Sequence, residues 1–186
     1  MAEYNEDAYK LARRAYIEFS CPFERALLSR CVTCGRSRKL NLAEREAIAC
    51  GDPAVREHCI TFYHALHDNA QFALKINLPH PNPDRTTSHS TKPASGQVAG
   101  YPPQAGEGAK VAPKPTNAPW PFGKEIRAQC GGVRGLAEAL GAAGDETTDT
   151  AETVLRGIET LGSHEQFPYS QIMRAVVHYE PRKRRK

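Results

Sequence analysis

The cysteines constrain this chain most, because five of its six cysteines fall between positions 21 and 59. Their order is Cys21-x9-Cys31-x2-Cys34-x15-Cys50-x8-Cys59. Cys31 and Cys34 form a CxxC motif followed by Gly35, and two intervening residues allow both sulfurs to turn toward one ion. The pattern therefore predicts a metal centre within roughly the first 75 residues.

The compartment expected for the chain supports this use of the thiols. The N-terminus, MAEYNEDAYK, lacks the charged-then-apolar pattern of a secretory signal. No apolar run approaches the roughly 18–20 residues that cross a bilayer. We therefore expect a cytoplasmic protein without a membrane span. Because the cytoplasm keeps thiols reduced, we expect no disulfide framework, which leaves metal binding, redox chemistry and plain burial as uses of the cysteines.

Proline content divides the chain into three segments. Nine of the fourteen prolines lie between positions 79 and 119, a stretch with almost no large apolar residues. Such a stretch cannot offset its ordering entropy and predicts a disordered or extended linker. We expect a helical cysteine-rich metal-binding module over 1–78 and a small helical segment with a basic C-terminal tail over 120–186. The fold class is therefore mainly α.

Apolar periodicity in the first segment predicts four helices and no strand. The second helix begins at Pro22, which makes Cys21 its N-cap. The third follows Asn41, reads LAEREAIAC and stops at Gly51, so that Cys50 lies in its last turn. Cysteines at helix ends and in loops can converge on one site without breaking a helix.

The fourth helix begins at Pro53 with Asp52 as its cap. Its predicted apolar stripe contains Val55, Cys59, Phe62 and Leu66. Cys59 is therefore either a buried core thiol or a metal ligand. The third segment predicts two or three short helices, over 133–140, after Thr150 and between Ser170 and Pro181.

The preferred ligands are Cys21, Cys31, Cys34 and Cys50, with Cys59 as the substitute ligand. Zinc sites usually pair two short knuckles, whereas this chain has one knuckle and widely spaced cysteines. That spacing favours a [4Fe–4S] cluster, with zinc as the alternative cofactor.

Three further residues are candidates near this cluster. Cys130 precedes Gly131 and Gly132, and either approaches the cluster from the third segment or is a small buried residue beside a turn. His64 and His67 share a helix face at a spacing that can hold a metal, although exposed histidines are usually solvated.

The motifs of hydrolases, nucleotide-binding enzymes and metalloproteases are missing, so we expect a protein that is not an enzyme and has no catalytic residues. The first hypothesis is an iron–sulfur accessory protein, an electron-transfer or redox-sensing subunit that works with a larger protein or redox complex. The alternative is a zinc-stabilised regulatory protein whose basic tail, PRKRRK, binds nucleic acid. A third is a metal-free interaction adaptor held by helix packing.

Overall fold

The computed structural model describes residues 6–42, 45–76, 120–142 and 148–181. Within them the chain is mostly helical, which confirms the predicted class, and it also contains a two-stranded sheet. The elements are α1 (Glu6–Tyr16), α2 (Glu24–Leu28), β1 (Ser37–Leu42), β2 (Arg45–Cys50), α3 (Pro53–Ala73), α4 (Phe122–Ala139), α5 (Thr150–Leu161) and α6 (Tyr169–His178). A single 3-10 turn, His164–Gln166, connects α5 to α6.

The prediction of a third helix over LAEREAIAC is wrong, because Leu42 ends β1 and residues 45–50 form β2, which pairs with β1. The strands pair antiparallel from Ser37 opposite Cys50 to Leu42 opposite Arg45. Residues 47–50 of β2 are all buried. Tertiary pairing therefore overrides the helix propensity of an alanine- and glutamate-rich sequence. Cys50 ends a strand and not a helix.

Of the other helix starts predicted in the first segment, the start of α3 is confirmed and the start of α2 is wrong. Asp52 caps α3 through a hydrogen bond from the Val55 N–H, with Pro53 at the first helical position, which confirms that prediction. The predicted apolar stripe of α3 is also buried. Cys21 as a helix cap is wrong, because α2 begins only at Glu24, with Phe23 as its N-cap.

In the third segment α4 begins at Phe122, well before the predicted start near Val133. Cys130, Gly131 and Gly132 therefore lie inside the helix and not beside a turn. Gly131 and Gly132 are buried, as is most of this helix, so its glycines serve close packing. The Gly132 position, for example, faces the side chain of Leu66 on α3.

The segments before position 77 and after position 119 form one compact unit with a shared core. Its largest fully buried side chains include Phe23 and Phe62 from the first segment and Leu136 and Ile172 from the third. The predicted linker over 79–119 and the tail after position 181 lie outside the described residues. Among the described helices, none combines the length and apolarity needed to cross a membrane.

Candidate metal centre

The hairpin brings Cys21 and Cys50 to neighbouring backbone positions. The N–H of Cys21 donates to the Ile48 carbonyl at 3.1 Å, and the N–H of Cys50 donates to the Phe19 carbonyl at 2.7 Å. Residues 19–21 therefore run along β2 like a short third strand, with a bridge between Ser20 and Ala49. Neither cysteine lies on a helix, so each thiol is positioned by strand pairing.

The CxxC loop lies next to the Cys50 end of the same hairpin. The Gly51 N–H donates to the Arg36 carbonyl at 2.8 Å, which holds the residues after Cys34 against the residue after Cys50. The Ser37 N–H and hydroxyl both donate to the Cys34 carbonyl, which closes the turn.

The start of α5 fixes the other side of this loop. The Thr33 N–H donates to the Thr148 carbonyl at 2.9 Å, and the Thr150 N–H donates back to the Thr33 carbonyl at 2.8 Å. Asp149 caps α5 through its Oδ1 and accepts the Gly35 N–H through its Oδ2 at 2.6 Å. Asp149 is thus a positioning residue that the sequence did not single out.

Cys59 reaches the same region from α3. Its side chain is 7% exposed and belongs to the core against which Cys21 and Cys34 pack. The helix is tied to the Cys21 segment by Arg56, whose Nε donates to the Ser20 carbonyl at 3.0 Å. Cys59, named only as a substitute ligand, therefore belongs to the core that Cys21 and Cys34 border, and its charge raises the pKa of Cys21.

The four thiols interact electrostatically. Burial is the largest cause and raises the pKa of Cys21 and of Cys59 to about 12 each. The charges of Cys34 and Cys50 contribute to the rise of both pKa values. The pKa of Cys34 is also raised, first by burial and also by the charges of Asp149 and Cys50. Thiols that raise one another's pKa in this way become thiolates only when a cation compensates their negative charge.

Backbone N–H groups face two of these sulfurs. Phe23 donates to Cys21, and Arg36 and Ala151 donate to Cys34; each bond lowers the pKa of its thiol against the larger effect of burial. Phe23 and Arg36 each lie two residues after the cysteine whose sulfur they face. Hydrogen bonds of this kind stabilise ligand sulfurs and tune the metal that they hold.

Cys31 is not a free thiol, because it forms a disulfide with Cys130. The Cα atoms are 6.0 Å apart and the residues are 99 positions apart in sequence. The expectation that the cysteines avoid disulfides is wrong for this pair. Its physical reason is the packing of α4 against α2, the helix that precedes the CxxC loop, which cysteine spacing alone does not reveal.

The histidine candidates have other surroundings. The Nε2 atom of His67 lies 3.0 Å from Glu125 Oε1, and its ring stacks on Trp120 with centroids 4.1 Å apart. His64 is exposed and makes an edge contact with Tyr63. Over the four described ranges, no three or more His, Cys, Asp or Glu side chains are grouped closely enough to hold a metal ion.

An open cavity of about 530 Å³ lies directly beside the CxxC loop. Gly35 and Arg36 form one wall, and the first turns of α5 form the other. Its charged lining contains both signs: Arg36, Asp149, Glu152, Arg156 and Glu159. Gly35 and Arg36, which follow Cys34, are therefore open to solvent at this cavity.

Comparison of the chain with protein-family models, with curated proteins and with solved structures found no match.

Proposed function

We propose that this protein is an iron–sulfur accessory protein whose ligands are Cys21, Cys34, Cys50 and Cys59. In this proposal Cys59 replaces Cys31 of the predicted ligand set. The cofactor is a [4Fe–4S] cluster, and the protein transfers electrons for, or senses redox state with, a larger protein partner. The observation that carries the proposal is the electrostatic interaction among four free thiols from four separate parts of the chain.

The chemistry of the four thiols suits such a cluster. A [4Fe–4S] cluster binds four cysteine thiolates, and its potential depends on burial and on hydrogen bonds to sulfur. Cys50 and Cys59 are buried, and Cys21 and Cys34 are partly exposed and accept backbone N–H groups. When bound, the cluster would supply the one-electron chemistry, while the chain would exclude water and hold the sulfurs.

The solvent-facing turn at Cys34 supports an exchange of electrons with a partner. Gly35 and Arg36 are exposed and border the open cavity. A partner that docks there approaches the cluster through one turn of backbone. The mixed charges of the cavity fit a transient polar interface, in which charge complementarity sets the encounter rate.

The zinc alternative has its own supporting observation. The two turns that place an N–H on the sulfur two residues earlier also suit a tetrahedral zinc site with four cysteines. In that case the protein is a zinc-stabilised regulator, and its basic tail contacts nucleic acid in a salt-dependent manner.

Metal, sulfide and visible absorbance of protein purified without oxygen separate these functions. We expect about four irons and four sulfides per chain, with a broad visible band that air destroys. About one zinc per chain with no colour would contradict the iron–sulfur proposal and support the zinc-stabilised regulator. Protein without either metal would contradict both and leave the metal-free adaptor.

A further inference from the structure

We propose that the Cys31–Cys130 disulfide is a reversible clasp that responds to thiol redox state and controls how firmly the CxxC loop is held. The clasp is separate from the four thiols of the candidate metal centre. Its effect on metal retention rests on the proposed function, whereas its own redox chemistry does not.

The clasp lies between two loops that carry proposed ligands. Gln129, the neighbour of Cys130 on α4, accepts the Ala26 N–H at 2.9 Å and donates to the Pro22 carbonyl at 3.4 Å. Cys130 itself is bonded to Cys31 in the loop that contains Cys34. One turn of α4 therefore fixes the loop of Cys21 by hydrogen bonds and the loop of Cys34 by a covalent bond.

Only one residue of the clasp is partly exposed. Cys130 is fully buried, whereas Cys31 is partly exposed. An incoming thiolate therefore reaches the Cys31 sulfur, and Cys130 is the leaving group that remains in the core. Exchange rates depend on which sulfur is attacked and on its access.

Opening the clasp leaves the loop attached by other contacts. The paired hydrogen bonds between Thr33 and residues 148 and 150 persist, as does the bond from Gly35 to Asp149. Val32, which is 1% exposed, also anchors the loop in the core. Reduction is therefore a local change that loosens the Cys34 turn without unfolding the protein.

The chemistry is a two-electron thiol–disulfide exchange with a dithiol reductant. The bond between the Cys31 and Cys130 sulfurs breaks, and a sulfur–sulfur bond forms within the dithiol. The two protons of the dithiol pass to the Cys31 and Cys130 thiols. Closure is the reverse reaction with a disulfide oxidant.

The first test titrates the folded full-length chain through dithiothreitol buffers of increasing reducing power, followed by acid quench and maleimide mass tagging. We expect two extra tagged thiols on reduction, mapped by peptide mass to Cys31 and Cys130, with unchanged circular dichroism. Tagging that appears only when the chain unfolds, or that never depends on the buffer, would overturn the clasp. This result does not depend on metal.

The second test measures transfer of Zn²⁺ from the zinc-loaded protein to a chromogenic chelator. We expect loss about tenfold faster when a phosphine has opened the clasp, since the constraint on the Cys34 loop is gone. The phosphine takes oxygen from water as it gives two electrons to the sulfur pair. Equal rates for the closed and the opened wild type would contradict the proposed control of the site.

Variants provide the matched controls for the second test. Cys31→Ala, Cys130→Ala and the double variant should all lose zinc at the rate of the opened wild type and should not respond to phosphine. Additive effects of the two single variants would show two independent roles and refute the clasp. A wild type that takes up no zinc refutes the metal-site proposal instead, and the tagging test still decides on the clasp.

Discussion

At the scale of single residues, Glu125 is the one charged residue that is buried among the residues the structure describes. Glu125 is 4% exposed. Its Oε1 accepts the Tyr63 hydroxyl at 3.0 Å and the Gln129 Nε2 at 2.7 Å, and it contacts His67. Burial alone would raise the pKa of Glu125, but the hydrogen bonds to His67, Gln129 and Tyr63 outweigh it and lower the pKa. A buried carboxylate with this many partners stabilises the fold only while it is charged.

We predict that Glu125→Gln lowers the free energy of unfolding by about 1–3 kcal/mol near neutral pH. The folded-state pKa lies below the ordinary value near 4.5, so the carboxylate contributes stability above that value and loses it as the pH falls through the folded pKa. Urea unfolding of both proteins from neutral pH to pH 3 checks this. A difference between them that grows toward acid pH would contradict the assignment.

The raised pKa values of the thiols predict proton release on metal binding. Cys21, Cys34 and Cys59 all have raised pKa values, so the empty site holds them as neutral thiols near pH 7. Adding Zn²⁺ to the metal-free chain in weak buffer should therefore release at least three protons per ion bound. Release of one proton or fewer, measured with a pH indicator, would mean that these thiols do not ligate.

At the scale of elements, sequence reasoning succeeded where local signals and packing agree. Asp52, Pro53 and the stripe of α3 were predictable because caps and apolar periodicity are local properties. The β1–β2 hairpin was not, since the sequence LAEREAIAC has a helical composition and only pairing with β1 and with residues 19–21 makes residues 45–50 a strand. The start of α4 was missed for a related reason: its glycines resemble a turn but serve close packing.

We predict that Gly135→Ala destabilises the packing of α4 on α6 by about 1–3 kcal/mol. A Cβ at this position would lie 2.8 Å from the Ala175 Cβ and 3.0 Å from the Ile172 Cα. Gly123→Ala is the matched control on the same helix, because its Cβ meets nothing within 4 Å. Thermal unfolding should show a loss for the first variant and a gain of about 0.5–1 kcal/mol for the second. Equal effects would contradict the close approach.

At the scale of the whole molecule, the third segment completes the core of the first. Val133 and Leu136 of α4 pack in one cluster with Phe23 and Phe62. The Lys124 side chain donates to the Lys75 carbonyl at 3.0 Å. The residues on either side of positions 77–119 therefore lie close together. The sequence-based division into three segments rested on proline content. It did not predict this shared core, because no local pattern indicates a contact between residues about 100 positions apart. The same long-range packing makes Cys31 a disulfide partner and leaves Cys59 among the free thiols.

We therefore predict that residues 1–78 alone do not fold, because removal of α4 exposes the apolar core. Coexpression with residues 120–186 should restore a complex with the helical circular dichroism of the full chain. Replacing residues 77–119 by a glycine–serine linker of about eight residues should leave the unfolding temperature nearly unchanged, since closure entropy depends only weakly on loop length. A stably folded 1–78 fragment would contradict the shared core.

The ligand set is tested most directly by metal content in two variants purified side by side without oxygen. The account predicts that Cys59→Ser loses the bound metal. Cys31→Ser should keep the wild-type stoichiometry, because its sulfur belongs to the clasp and not to the site. The opposite result, with metal retained by Cys59→Ser and lost from Cys31→Ser, would contradict the proposed centre and restore the ligand set that the CxxC motif first indicated.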